Sequence, residues 1–152
     1  MTRNNGGAGG LAGFLDRLYA IPGCIPDWFL QLGARVAVAP LFFISGRGKV
    51  AGFTVTDSTV FLFEHEFGLP MPVVAAHLAA LAENILPILL VIGFATRLSA
   101  LALFVMTIVI QFVYPGGFWN HHLLWFFLLL FIMARGPGCV SLDHLIAKRY
   151  RG

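Results

Sequence analysis

Long apolar runs separated by short polar segments dominate the hydropathy pattern of this chain. Four of the runs have the length of a membrane span, since crossing the hydrocarbon core takes about 20 apolar residues, with a range of roughly 17 to 25. The runs cover residues 28–46, 72–93, 98–114 and 118–134. The pattern predicts an all-α membrane protein, a bundle of four transmembrane helices.

Three shorter segments carry apolar residues at helical spacing beside polar ones, which is typical of helices that lie in the membrane interface. They predict amphipathic helices at the N-terminus, in the first outer loop and at the C-terminus, where Ser141 can cap the helix. Residues 1–10 are rich in glycine and asparagine and are expected to be a flexible N-terminus, followed by a single domain over residues 11–152. The apolar positions are Leu11, Phe14, Leu15, Leu18 and Tyr19, then Val60, Phe63 and Phe67, then Leu142, Leu145 and Ile146.

The composition excludes an ordinary soluble domain. Apolar residues make up 59% of the 152 residues and charged residues 11%, whereas soluble domains carry about 25% charged residues. The net charge of +3 does not indicate nucleic-acid binding, because the basic residues flank apolar runs and form no basic face interleaved with aromatics. The expected partner is therefore the lipid bilayer, and no nucleic acid is expected.

The basic residues of the flanking segments predict the orientation of the bundle. With four spans, both termini and the loop between the second and third helices share one side of the membrane. That side holds seven basic residues and the other side holds two, which predicts termini in the cytoplasm and a location in the bacterial inner membrane. The seven are Arg3, Arg17, Arg97, Arg135, Lys148, Arg149 and Arg151, and the two are Arg47 and Lys49.

Two ionisable residues of opposite charge lie inside predicted spans, where an uncompensated charge costs several kcal/mol. Arg35 is roughly 10 Å and Glu83 roughly 15 Å from the inner ends of their helices, at 1.5 Å per residue. An arginine side chain can bridge that offset, so the depths predict an ion pair between Arg35 and Glu83, with Asn84 completing the hydrogen bonding of Glu83. Such a pair would serve in gating or proton handling, or would only fix the helix register, with Arg35 reaching the interface alone as a further alternative.

A second group of polar residues falls in the outer quarter of the bilayer. Imidazole and amide groups at this depth can bond a quinone carbonyl or, less readily here, coordinate a transition metal. No metal-ligand spacing is present, and adjacent histidines on a helix point about 100° apart. The candidate ligand site comprises His77, Gln111, His121 and His122 at this depth, together with Asn84, which lies deeper beside Glu83.

The segments around these residues resemble the DoxX family of bacterial membrane proteins. The similarity runs from about Arg35 to Asp143 and depends on several short motifs in a fixed order. These are Arg35 and Phe42, then Gly46, Lys49 and Gly52, then Gly68-Leu69-Pro70, Glu83, Gly93-Phe94-Ala95-Thr96-Arg97, and the closing Gly136-Pro137-Gly138-Cys139-Val140-Ser141-Leu142-Asp143.

The resemblance implies a four-helix inner-membrane protein linked to respiratory or thiol redox complexes and to oxidative stress, and it supplies no catalytic residue. The leading hypothesis is an accessory, non-catalytic subunit that contacts protein partners and possesses a quinone-facing site. If the protein were enzymatic, it would form part of a quinone-linked oxidoreductase complex. The alternatives are a small transporter or metal-handling protein and a pure scaffold without ligand, with a homo-oligomer as a further option.

Overall fold

The predicted spans are helical in the computed structural model, which describes Phe14, residues 25–68 and residues 70–151. Four helical segments of this described part are long and apolar enough to cross a membrane: Asp27–Gly48, Pro72–Ile92, Thr96–Val113 and Pro115–Arg135. The predicted all-α membrane bundle is confirmed. In chain order the α-helices are α1 (Asp27–Gly48), α2 (Asp57–Phe61), α3 (Pro72–Ile92), α4 (Thr96–Val113), α5 (Leu123–Arg135) and α6 (Leu142–Arg151).

The four spans close into a ring in which α1 packs on α3 and α5, and α4 packs on the same two helices. Their shared core is apolar and includes Val38 and Phe42 of α1, Leu90 of α3 and Leu103 of α4. Most other large apolar side chains point outward, as expected where lipid is the solvent. The short turn between α3 and α4 and the segment after α5 lie at the same end as the start of α1, which we call the terminal end.

The loop end of the bundle carries the long connection between α1 and α3. It begins with a β-hairpin of strands β1 (Val50–Ala51) and β2 (Thr54–Val55), in which Val50 pairs with Val55. Helix α2 and a π-helical turn, Leu62–Glu66, follow. The predicted outer-loop helix is thus confirmed, with Phe63 as its buried apolar anchor. The hairpin was not predicted.

The C-terminal amphipathic helix is also confirmed, as α6. The Ser141 hydroxyl accepts a hydrogen bond from the backbone N–H of His144 (3.1 Å), so this residue is the helix cap that the sequence predicts. Leu145 is 61% exposed, which suits a helix that lies against lipid headgroups. The expected flexible residues 1–10 and, apart from Phe14, the expected N-terminal helix lie outside the described residues.

Candidate functional site

The register between α1 and α3 is set by a close backbone contact at Gly46. A Cβ atom at this position would lie 2.8 Å from the carbonyl carbon of Glu83, so only glycine permits the approach. Glu83 lies eleven residues from Pro72 and nine from Ile92, near the middle of α3. The last turn of α1 therefore lies beside the middle of α3.

This register makes the predicted ion pair between Arg35 and Glu83 wrong. Eleven residues separate Arg35 from Gly46, which is about 16 Å along the helix and beyond the reach of an arginine side chain. Lys49 lies one turn after Gly46, and its ammonium group contacts Glu83 Oε2 at 2.6 Å. The two helices do not end at the same level of the membrane, since Arg35, eight residues into α1, lies beside the end of α3.

Arg35 instead binds backbone carbonyls at the terminal end. The residue is fully buried. Its Nη1 donates to the carbonyl of Val91 (3.3 Å) and, at 3.5 Å, to that of Leu90, and its Nη2 donates to the carbonyl of Val140 (2.5 Å). Its Nε has no partner within the described residues. The side chain thereby ties the end of α3 to the segment that precedes α6.

Asp143 makes a second connection at the same place. Its carboxylate accepts hydrogen bonds from the backbone N–H groups of Ala95 and Thr96 and from the Thr96 hydroxyl, each at 2.8 Å. Its own N–H donates to the carbonyl of Gly93 (2.9 Å). Burial opposes ionisation of this carboxyl, but the hydrogen bonds from Thr96 and Ala95 and the nearby Arg35 charge hold its pKa below the ordinary value. Asp143 therefore serves as the N-terminal cap of α4.

Gly93 completes this arrangement because it leaves room where the segments meet. A Cβ atom there would overlap both the Arg35 guanidinium and Ser141, and the backbone φ of +77° itself favours glycine. We call Arg35, Gly93, Thr96, Ser141 and Asp143 the terminal lock. In the sequence these residues belong to separate motifs, and the spacing of the motifs does not predict that the residues meet.

The pair of Lys49 and Glu83, the mid-bundle pair, differs from the lock in its exposure. Glu83 is buried, whereas the Lys49 side chain is 17% exposed and also donates to the Ser45 hydroxyl (2.8 Å). The predicted support from Asn84 is wrong, because its amide donates to the Ala80 carbonyl of the preceding turn (2.7 Å). The pair is thus a single ion pair with a partly accessible cation.

Of the predicted ligand residues, the structure brings Gln111 and His122 together. The Gln111 side-chain oxygen lies 2.6 Å from Nδ1 of the buried His122. His77 is exposed and bonds the Val73 carbonyl of its own helix (2.7 Å), and the exposed His121 ring lies beside Trp125. No three potential metal ligands come together anywhere in the described part of the chain.

Comparison with known proteins matches residues 30–116 to the DoxX family. The inner membrane protein YphA of Escherichia coli (strain K12) is 40% identical over 130 residues, which cover 76% of this chain and 89% of that protein. No solved structure matches the chain. The region of the family match includes the mid-bundle pair and the lock residues Arg35, Gly93 and Thr96.

Proposed function

The chain is a multi-pass inner-membrane protein that belongs to the DoxX family, and on this premise we propose that it is an accessory, non-catalytic subunit of a membrane complex in redox or stress metabolism. The redox part of the proposal comes from what the family resemblance implies. The accessory part is supported by how the buried polar groups are used.

One observation carries the accessory role: in the described part of the chain, the buried charged residues Arg35 and Glu83 and the half-buried Asp143 are bonded within the chain. Arg35 binds three carbonyls, Asp143 caps α4, and Glu83 pairs with Lys49. A catalytic or transport site needs charged groups that a substrate can reach, and charges inside a membrane are retained at considerable cost. Here the charged groups stabilise contacts between helices. This structural role is expected of a subunit that acts by binding partners at its surface.

The experiment combines deletion of the gene with assays of the purified chain. We expect membranes from the deletion strain to lose part of their substrate-dependent quinone reduction, and the wild-type gene to restore it. The purified chain in proteoliposomes should neither reduce a quinone analogue nor conduct ions above the level of empty vesicles. Turnover or flux by the purified chain alone would contradict the accessory role, and unchanged membrane activity after deletion would contradict the redox role.

A quinone contact is the second candidate, and the bond between Gln111 and His122 favours it. In the neutral imidazole this bond uses Nδ1–H as the donor, which leaves Nε2 as an acceptor beside the Tyr114 ring. A hydroquinone hydroxyl can donate to such a nitrogen once the residues that cover His122, which is 3% exposed, move aside. The His122→Ala variant should lose binding of a hydroquinone analogue, whereas His77→Ala should keep it; equal binding by both variants would reject the contact.

The transporter alternative has less support, because His77, His121 and His122 face different surroundings. A metal pathway along one cavity requires several ligands that converge, whereas His77 and His121 are exposed and His122 is buried. Copper or zinc that co-purifies with the protein and is lost in a His121→Ala, His122→Ala variant would restore this alternative.

We also propose that the terminal end faces the cytoplasm, since that end carries the excess of basic residues. Cys139 is exposed at this end and reports on the orientation. In a Cys24→Ser background, a membrane-impermeant maleimide should label Cys139 in inside-out vesicles and leave it unlabelled in right-side-out vesicles. The reverse pattern would place the termini outside.

A further inference from the structure

A cleft of about 740 Å³ opens at the terminal end, beyond the lock. Its walls come from the first turns of α1, the start of α4, the end of α5 and α6. Arg35 bonds the last carbonyls of α3, and α1 begins eight residues earlier, so its first turns extend about 12 Å past the end of α3. Those turns form one wall with Asp27, Trp28 and Gln31.

Two arginines face this cleft from opposite helix ends. Arg97 lies in the first turn of α4 and Arg135 in the last turn of α5. A Cβ atom at Gly136 would lie 3.2 Å from Nη2 of Arg97, so the Arg97 guanidinium rests beside the residue that follows Arg135. The Arg97 guanidinium thus lies against the backbone at the end of α5, and both arginines line the same cleft.

Neither arginine has a carboxylate partner within the part of the chain that the structure describes. Two carboxylates line the same cleft, Asp27 and Asp143. Asp143 is committed to three hydrogen bonds from Ala95 and Thr96 and interacts with the Arg35 charge. Among the described residues, Asp27 is then the one carboxylate of the cleft that faces two guanidinium groups without such bonds, and the balance of charge is positive.

Part of the cleft is lined by exposed apolar residues. Trp28 is 40% and Leu98 is 69% exposed. Tryptophan at the edge of a span is characteristic of the membrane interface, so the cleft lies at headgroup level with its apolar side toward the acyl chains. Basic pockets between transmembrane helices on the cytoplasmic side are the kind of site that binds anionic lipid headgroups.

We propose that this cleft binds the phosphate headgroup of an anionic phospholipid. Arg97 and Arg135 bind the phosphate oxygens, since a guanidinium group donates two parallel hydrogen bonds to such an anion. Trp28 and Leu98 contact the first part of the acyl chains. The assignment is independent of the redox role, and it rests on the geometry and charge of the cleft together with the proposed cytoplasmic orientation of the terminal end.

Native mass spectrometry of the full chain tests the site with chain-matched dioleoylphosphatidylglycerol and dioleoylphosphatidylcholine. The wild type should prefer phosphatidylglycerol by about 25-fold, since each of the two arginines contributes roughly fivefold near an anionic headgroup. The Arg97→Gln, Arg135→Gln variant should lose this preference. The matched control is Lys148→Gln, Arg149→Gln, which removes two cations from α6 and should keep it.

A second measurement, quenching of tryptophan fluorescence, keeps both arginines of the cleft in place and so does not depend on folding of the double variant. In a Trp119→Phe, Trp125→Phe background, Trp28 is the remaining tryptophan, and brominated phosphatidylglycerol should quench it more than brominated phosphatidylcholine. Equal quenching, or a preference that survives loss of both arginines, would overturn the proposal. Binding of glycerol phosphate without any preference among the lipids would overturn the lipid assignment in favour of a soluble anion.

Discussion

The terminal lock and the mid-bundle pair both bury charge inside a four-helix bundle, yet they do so in different ways. Arg35 and Asp143 bind backbone groups from segments that are 47 to 105 residues away in the chain. Lys49 and Glu83 form one ion pair between two helices, and the lysine remains partly exposed. The lock therefore joins three parts of the chain, whereas the mid-bundle pair joins two.

This difference indicates that the stability of the fold depends more on the terminal lock than on the mid-bundle pair. Backbone groups cannot relocate when a side chain is removed, so loss of a lock residue leaves buried carbonyls or N–H groups without partners. A partly exposed lysine can turn toward solvent when its partner is lost. Substitutions should accordingly be more destabilising at the lock than at the mid-bundle pair.

The largest effect is expected for Arg35→Met. The change leaves the carbonyls of Leu90, Val91 and Val140 without their donor, and breaking a buried charged contact typically costs about 3–5 kcal/mol. Thermal unfolding in a defined detergent should show the loss. Arg47→Met is the matched control, since Arg47 is an exposed arginine of the same helix; equal destabilisation by both changes would contradict the lock.

Gly93→Ala should have the next largest effect. The added methyl group meets Arg35 and Ser141, and a left-handed backbone costs a non-glycine residue about 1–2 kcal/mol before any clash. We expect a total of about 2–4 kcal/mol, measured in the same unfolding assay. Gly116→Ala has open space around its Cβ position and is the control.

Glu83→Gln should destabilise the bundle by only about 1–2 kcal/mol. The glutamine amide still accepts a hydrogen bond from Lys49, so the change removes the charge interaction and keeps the contact. Gly46→Ala, which forces α1 away from α3, should cost more than this. A Glu83→Gln variant as unstable as Arg35→Met would show that the mid-bundle pair is equally essential.

Acid should weaken the terminal lock by protonating the Asp143 carboxylate, which accepts hydrogen bonds from Ala95 and Thr96. Its pKa is lower in the folded protein than its ordinary value of 3.8, so its stabilisation is complete above that value and is lost as the pH falls through the folded pKa. The wild type should lose stability below about pH 4. Asp143→Asn should be less stable at neutral pH and should show a shallower loss over the same acid range; parallel curves would exclude Asp143 as the cause.

The smallest effect on unfolding is expected for substitution of the exposed His77, with the buried His122 as its comparison. His77→Ala should leave unfolding unchanged because the ring faces outward and bonds only its own helix. His122→Ala should cost about 1–2 kcal/mol, since it leaves Gln111 without its buried partner. Equal unfolding temperatures for the two variants would show that the Gln111 contact contributes little.

The sequence predicted the spans well because lipid imposes length and hydropathy directly on each helix. The cap at Ser141 was predictable for a similar reason, as the motif is local. The β-hairpin had an available signal in the β-branched residues around Gly52-Phe53, since a two-residue turn with glycine first is typical of hairpins. Local rules thus account for most of the elements.

The charge partners could not be predicted in the same way. The register of α1 on α3 depends on Gly46 fitting against the Glu83 backbone, and no helical periodicity encodes that contact. Arg35 binds backbone carbonyls, which every residue has. The side chains of Val91 and Val140 therefore do not indicate that these residues are its partners. Asp143 could be recognised as part of a motif, but its role as the cap of a helix 47 residues earlier requires the three-dimensional arrangement.

Hydrogen exchange of the backbone amides of Ala95, Thr96 and Asp143 tests the central claim most directly, because each of these amides donates within the lock. The account predicts that they are protected in the wild type and in Glu83→Gln, and that they exchange much faster in Arg35→Met, while amides in the middle of α4 stay protected in all three. Similar exchange of the lock amides in the two variants would contradict it.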